Sequence, residues 1–216
     1  FHDWTLDCRT NGRGVTRERT LAELKALDIG YGYTADGGQT FPFRGKGVGL
    51  MPSLDEVLAA FPGKRFLIDI KSNDPEEGRA LAERLSRLSP HQRALLMVYG
   101  GERPVVAVRT SLPGLRTVWR SGLKACLLRY FALGWSGIVP SACRHSVLLV
   151  PINYASWLWG WPYRFLERVS AADSVVFVLG PWDGEGFSRG FDTPAEFGRL
   201  PADFNGGIWT NRIDRI

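Results

Sequence analysis

Cysteine and histidine are scarce in this sequence, and its basic residues, although in excess, never gather. The three cysteines, Cys8, Cys126 and Cys143, are far apart and odd in number, which gives neither a disulfide framework nor the spacing of a zinc site. They point to a reducing compartment, so the cytoplasm is the expected location. No signal peptide is legible at Phe1, which stands where a Met is usual; a segment ahead of it would carry any such signal, so periplasmic export stays open. Lys and Arg number 27 against 22 Asp and Glu, a net charge of +5 with a pI near 9.3. No five or six cations run together, which speaks against nucleic acid as a partner and leaves a small anionic substrate. G-x-S-x-G, a Gly-rich phosphate loop ahead of a helix, and H-E-x-x-H are all absent, so serine hydrolase and nucleotide-triphosphatase readings lose their support. The 19 residues His145 to Tyr163 lack Asp, Glu, Lys and Arg and approach the length of a membrane span. Pro151, Asn153, Gly160 and Pro162 would interrupt a helix there, and a strand followed by a loop fits better.

What is present is a globular chain of 216 residues, 44% apolar and 23% charged, enough to fill a core and too balanced for a disordered one. β-branched, apolar runs alternate with helical patterns, which is how a parallel sheet with crossover helices reads in sequence. Six strands are expected, over Phe66 to Lys71, Ala94 to Tyr99, Leu115 to Trp119, Val147 to Ile152, Ser174 to Leu179 and Gly207 to Thr210. Capping boxes at Thr20 to Glu23 and Ser53 to Glu56 predict helices over Leu21 to Leu27 and Leu54 to Phe61. Asp74-Pro75-Glu76-Glu77 predicts another, with Glu77 reaching back to the cap and Leu81, Leu85 and Leu88 as its buried stripe. Gly30 to Gly49 holds eight glycines or prolines and no period; its aromatic residues make it an ordered excursion rather than a linker. No domain boundary or repeat stands out, so one domain over residues 1–216 is expected.

The most unusual strand is Phe66-Leu67-Ile68-Asp69-Ile70-Lys71. Alternation sends Phe66, Ile68 and Ile70 toward the helices and Leu67, Asp69 and Lys71 inward. A carboxylate and an ammonium facing inward need each other, a metal or an anionic ligand. His2-Asp3 is a second candidate, because a histidine at the end of an extended segment can transfer protons near neutral pH. His91, after Ser89-Pro90, reads as the approach to a strand, and His145 as a surface or packing residue. Trp157, Trp159 and Trp161 cluster just past a strand, either as a packed aromatic corner or as a rim for acyl chains or a bilayer surface.

In order along the chain, several segments resemble the glycerophosphodiester phosphodiesterase family. Phe1-His2-Asp3-Trp4-Thr5-Leu6-Asp7 with Arg9-Thr10-Asn11-Gly12 is similar to that family's opening "HD..LDRTTNG" segment. Thr20 to Asp28 resembles its "TLAELKxLD" helix, and Phe43-Arg44-Gly45 with Met51 to Leu58 its "IPTLEEVL" stretch. The Asp69 strand resembles "IEIK", with Asp in place of Glu, and Gly207 to Arg212 resembles "GIITDRP", with Asn211 in place of Asp. The likeness is dense over residues 1–71, returns at 206–212 and is thin between.

The resemblance implies a TIM-type (β/α)8 barrel with an insertion around residues 28–50. It places the family's first two strands, with a His-Arg-Gly motif and most of the metal's carboxylates, ahead of Phe1. By implication the activity is hydrolysis of glycerophosphodiesters to sn-glycerol 3-phosphate and an alcohol, with Mg²⁺ or Ca²⁺ as cofactor. His2 is then one of two catalytic histidines, Asp69 a metal ligand, and Lys71 the phosphate-side cation, both catalytic and substrate-binding. Trp157 and Trp159 are the expected substrate-binding aromatics. The alternatives are lysophospholipase D-type hydrolysis, with membrane-surface contact at the tryptophans, and a non-catalytic phosphodiester- or lipid-binding barrel. The 216 residues by themselves are expected to be inactive, with exposed strand edges.

Overall fold

A computed structural model describes residues 1–185 and 189–215. The chain divides into two compact units, Phe1–Lys64 and Arg65–Ile216, where the sequence shows no boundary.

The first unit holds two short helices, α1 (Leu21–Lys25) and α2 (Leu54–Ala60), each opened by the expected reciprocal box, Thr20 with Glu23 and Ser53 with Glu56. Both end before their expected limits. The rest is loop, and one buried carboxylate organises it. Asp28 accepts from the amides of Gly30 (3.0 Å), Gly45 (2.6 Å) and Gly47 (3.0 Å), while its own amide donates to Asn11 Oδ1 (2.8 Å). The glycines are required by space. At Gly47 a Cβ would lie 2.4 Å from the Gly30 nitrogen, and at Gly30 one would lie 2.3 Å from the Phe43 carbonyl oxygen. The Gly30 to Gly49 excursion is therefore wrapped on Asp28, whose pKa is lowered first by the Gly45 amide and then by those of Gly30 and Gly47.

The second unit is parallel α/β. Six strands lie where they are expected: β1 (Phe66–Ile70), β2 (Leu96–Gly100), β3 (Arg116–Trp119), β4 (Val147–Pro151), β5 (Val175–Leu179) and β6 (Gly207–Ile208). Among the described residues they form two sheets, β1-β2-β3 and β4-β5-β6, every pairing parallel and every neighbour next in sequence. Connecting them are α3 (Pro75–Ser86), α4 (Pro90–Ala94), α5 (Glu102–Ser111), α6 (Arg120–Leu133), α7 (Ile152–Ala155), α8 (Tyr163–Ala171) and α9 (Pro194–Phe197).

Alternation sorts the strand side chains into two cores. Leu148, Val150 and Val176 face outward and pack with Cys126 and Tyr130 of α6 and with Phe165 and Val169 of α8. Met97, Val118, Val147, Leu149 and Leu179 face inward, joined by Leu67, Tyr99 and Trp209. Inward side chains from β1 through β5, with Trp209 just past β6, thus share one interior. The eight-stranded barrel of the sequence expectation asks for more than these two three-stranded sheets show.

The sheets meet at one parallel bridge, Thr117 to Ser146. The Thr117 amide donates to the His145 carbonyl (3.1 Å) and Ser146 Oγ donates to the Thr117 carbonyl (3.1 Å). Ser174 Oγ accepts from the Ser146 amide (2.8 Å) and donates to the Cys143 carbonyl (2.6 Å). Thr117, Ser146 and Ser174 are all buried.

Four sequence expectations are corrected here. Cys126 on α6 and Cys143 before β4 form a disulfide, Cα to Cα 4.9 Å, because the chain leaving α6 turns back over that helix to enter β4. With a disulfide characteristic of oxidising compartments, the cysteines no longer point to a reducing one. The stripe of α3 is Gly78, Ala82 and Leu85, with Leu81 and Leu88 half-buried, because Gly78 lies against the Pro104 backbone of α5. At that helix start Glu77 accepts from Ser72 Oγ (2.6 Å), and Ser72 Oγ accepts from the Asp74 amide (3.1 Å). His91 lies inside α4, capped by Ser89, rather than on a strand approach. No helix is long and apolar enough to cross a membrane among the described residues.

Two outcomes are expected. Cys126→Ser with Cys143→Ser costs about 3 kcal/mol, the loop-closure value for a sequence separation of 17, measured by urea unfolding against the oxidised protein. Because the folded-state pKa of Asp28 is depressed, its contribution is whole above the ordinary carboxylate range and lost as pH falls through the folded value. The stability gap between wild type and Asp28→Asn, read by thermal melts, is therefore widest at neutral pH and closes in acid.

Candidate active site

In parallel α/β proteins the strand carboxyl ends carry the chemistry. At the end of β1, Asp69 pairs with Lys71, the carboxylate side chain 20% and the ammonium-bearing one 40% exposed. Asp69 lies opposite Tyr99 in the β1–β2 register. Burial raises the Tyr99 pKa, and the Asp69 carboxylate beside it adds to the rise, so the phenol stays protonated. Tyr99 stands edge-on to Trp209 at 6.1 Å between ring centroids, which brings the end of β6 to the same place. The two charges expected inward are thus paired at a mouth, half in water, rather than sealed in a core.

In the first unit His2 Nδ1 lies 2.9 Å from Asp3 Oδ1, and Arg9 Nε donates to Asp3 Oδ2 (3.1 Å). The Asp3 pKa is lowered, chiefly by the bond from His2 and then by Arg9. An ionised Asp3 accepts, so Nδ1–H donates and Nε2 is left for proton transfer. His2, Asp3, Arg9, Tyr33, Lys46 and Met51 help to line a cavity of about 580 Å³, and the Arg9 guanidinium sits 4.8 Å over the Tyr33 ring.

Trp157 and Trp159, past the end of β4, are both exposed and take different partners. Trp157 packs edge-on to Tyr154, whereas Trp159 Nε1 donates to the Phe131 carbonyl at the end of α6 (2.8 Å). Trp161 turns toward Phe165 and Phe204, so the three do not form one cluster. His145 sits ahead of β4, at the opposite strand end, bonded to Asp173 (3.0 Å).

Among the described residues, no three His, Cys, Asp or Glu side chains gather to hold a metal ion. A hard divalent cation takes six or more oxygen ligands. Asp69, the carboxylate assigned to the metal by resemblance, is one ligand with an ammonium already on it. These residues alone do not fit the ion.

Sequence reasoning missed Asp192 and Tyr99. Asp192 accepts from the Asn211 amide (2.7 Å), from Asn211 Nδ2 (3.1 Å) and from Thr210 Oγ1 (3.2 Å), tying the segment after β5 to the end of β6. This explains the departure at Asn211: an Asp there could not donate and would set two carboxylates together. Tyr99 was findable, since it ends a strand adjoining that of Asp69.

Compared with known proteins, the chain is 37% identical over 88 residues to a glycerophosphodiester phosphodiesterase of Bacillus subtilis, a stretch covering 39% of this chain and 28% of that protein. This match agrees with the resemblance to the glycerophosphodiester phosphodiesterase family that the sequence motifs carry. It is also 27% identical over 109 residues to an uncharacterized protein of Mycobacterium tuberculosis, covering 50% of this chain and 35% of that one. The matched stretches therefore span about a third of these curated relatives, 28% and 35% of their lengths. A crystal structure of a glycerophosphodiester phosphodiesterase from Agrobacterium tumefaciens shares the fold, with a TM-score of 0.54 and 21% identity over 85% of this chain and 68% of that one. No protein-family model matches the chain.

Replacing Asn211 by Asp is expected to lower the melting temperature at neutral pH. The deficit should shrink as pH falls and one carboxyl of the 192/211 pair takes a proton; a deficit independent of pH would contradict this account.

Proposed function

We propose that the protein hydrolyses glycerophosphodiesters, giving sn-glycerol 3-phosphate and an alcohol. The observation that supports this most is the Asp69–Lys71 pair at the mouth of the parallel strands, in a chain similar to glycerophosphodiester phosphodiesterases. Cleaving the diester's P–O bond builds negative charge on the phosphoryl oxygens and requires a proton on the leaving oxygen. Lys71, held at the strand end by Asp69, is the cation for the phosphate. His2, its Nδ1 held by Asp3, is the proton carrier through Nε2. Asp69 and Tyr99 act on Lys71 by position. In this reading β1 to β6 are consecutive strands of a closed (β/α)8 barrel.

A second reading, hydrolysis of lysophospholipids, is favoured by the exposure of Trp157 and Trp159, which suits an acyl chain. A phosphodiester-binding protein without turnover is the third.

Release of glycerol 3-phosphate from glycerophosphocholine by the full-length protein separates these, measured after chelation and again with Mg²⁺ or Ca²⁺ restored. Lys71→Ala is expected to lower kcat by about 10² to 10³ and His2→Ala by about 10² to 10⁴. A preference for lysophosphatidylcholine would select the second reading. Binding without turnover in any metal, unchanged by Asp69→Ala, would select the third and overturn the first.

A further inference from the structure

Helix α6 is apolar on two sides, and its fold uses only one. Its inner side carries Cys126 and Tyr130, fully buried, with Leu123 and Leu127 on the same core. Its outer side carries Lys124, Leu128 and Phe131 at i, i+4 and i+7, and Trp135 follows on the 3-10 turn Gly134–Ser136. Leu128, Phe131 and Trp135 are exposed, Trp135 by 69%, and Ile138, three residues past Trp135, is exposed as well. A helix apolar all round is ordinarily buried, and a contiguous apolar patch of this kind marks a contact. Trp159 extends it: besides its indole bond to the Phe131 carbonyl, its own carbonyl accepts from Tyr130 Oη (2.9 Å).

Charge tells what covers the patch. Residues 103–166 contain eight Lys or Arg and not one Asp or Glu, in a chain that has 22 acids. Arg120, Lys124 and Arg129 on α6 are exposed, as is Arg164, whose Cβ lies against Gly160 next to Trp159. An acid touches α6 at its first turn, where Ser121 donates to Glu102 (2.6 Å), the end away from Trp135.

We propose that the outer face of α6, with Trp135, Ile138 and Trp159, docks on an anionic lipid bilayer. Leu, Phe and Trp enter the headgroup boundary while Lys124, Arg129 and Arg164 meet lipid phosphates, the division of labour of an interfacial helix. A second copy of the chain is a poorer occupant, because a two-fold interface sets each patch against itself and faces cation to cation. The docking stands whether or not the diester reading holds, because it requires no turnover.

The test is co-sedimentation of the full-length protein with phosphatidylcholine vesicles, with and without about 30 mol% phosphatidylglycerol. Each cation near such a surface is worth about fivefold in binding. Binding is therefore expected to be at least about tenfold tighter on the anionic vesicles and to fall by a similar factor in about 0.5 M salt, where the Debye length is a few ångströms. Phe131→Glu with Trp135→Glu should remove it, and Lys124→Glu with Arg129→Glu should weaken it about tenfold or more. Circular dichroism checks that these exposed positions leave the fold intact, and hydrolysis of water-soluble glycerophosphocholine should be unchanged in both. Three results would overturn the proposal: no vesicle binding by wild type, binding indifferent to lipid charge, or binding unchanged in both variants. A dimer that Phe131→Glu with Trp135→Glu dissolves, seen by sedimentation in place of vesicle binding, would assign the face to a second copy instead.

Discussion

Two three-stranded sheets are made continuous at a single residue pair, and hydroxyl groups do what a ladder does elsewhere. Between β3 and β4 the strand pairing is one bridge, so buried backbone amides and carbonyls there need partners from side chains. Ser146 and Ser174 supply them, and Thr117 brings the backbone they meet. Leaving one such buried group unpaired costs about 1–3 kcal/mol. Outside the seam, Arg116 Nε donates to the Asp173 carbonyl (3.1 Å) and its guanidinium pairs with the Asp173 carboxylate, so a β3 side chain reaches the residue before Ser174 and β5. The inward core and the Asp69–Lys71 mouth rely on this seam, because it sets β1 to β3 and β4 to β6 around one interior.

The first unit follows the same logic with a carboxylate in the centre. Its motif residues look chemical and serve the backbone. Thr10 Oγ1 donates to the Leu6 carbonyl (2.8 Å) and accepts from the Gly12 amide (3.0 Å), Asp7 accepts from the Gly14 amide (3.1 Å), and Asn11 holds the Asp28 amide. Much of the family likeness over this stretch is thus likeness of a turn and a loop. In the proposed hydrolysis His2 and Asp3 are the part with a proton to move.

Asp69 shows how position alters the meaning of a charge. Deep in a core an ion pair seldom repays its desolvation. At a strand end, with Lys71 in reach of water and a protonated Tyr99 alongside, the same pair holds an ammonium half in water, which the proposed hydrolysis uses for the phosphate. Departures from the family pattern have local causes as well, since Asn211 donates to Asp192 where an Asp would repel it.

Strand positions, the two reciprocal capping boxes and the inward direction of Asp69 were legible because they depend on local periodicity and on bonds between residues three apart. The bond from Lys71 to Asp69 was one of three outcomes that alternation left open for these charges, beside a metal and an anionic ligand. The Cys126–Cys143 bond, the Asp28 hub, the Asp192–Asn211 tie and the Tyr99–Trp209 contact were not legible. Each joins residues 17 or more apart in sequence, and nothing in local composition says which distant partners the chain's return will deliver. The outer face of α6 shows the divide most clearly: its apolar residues are plain in the sequence, yet only packing decides which side is buried and which side is left for a partner.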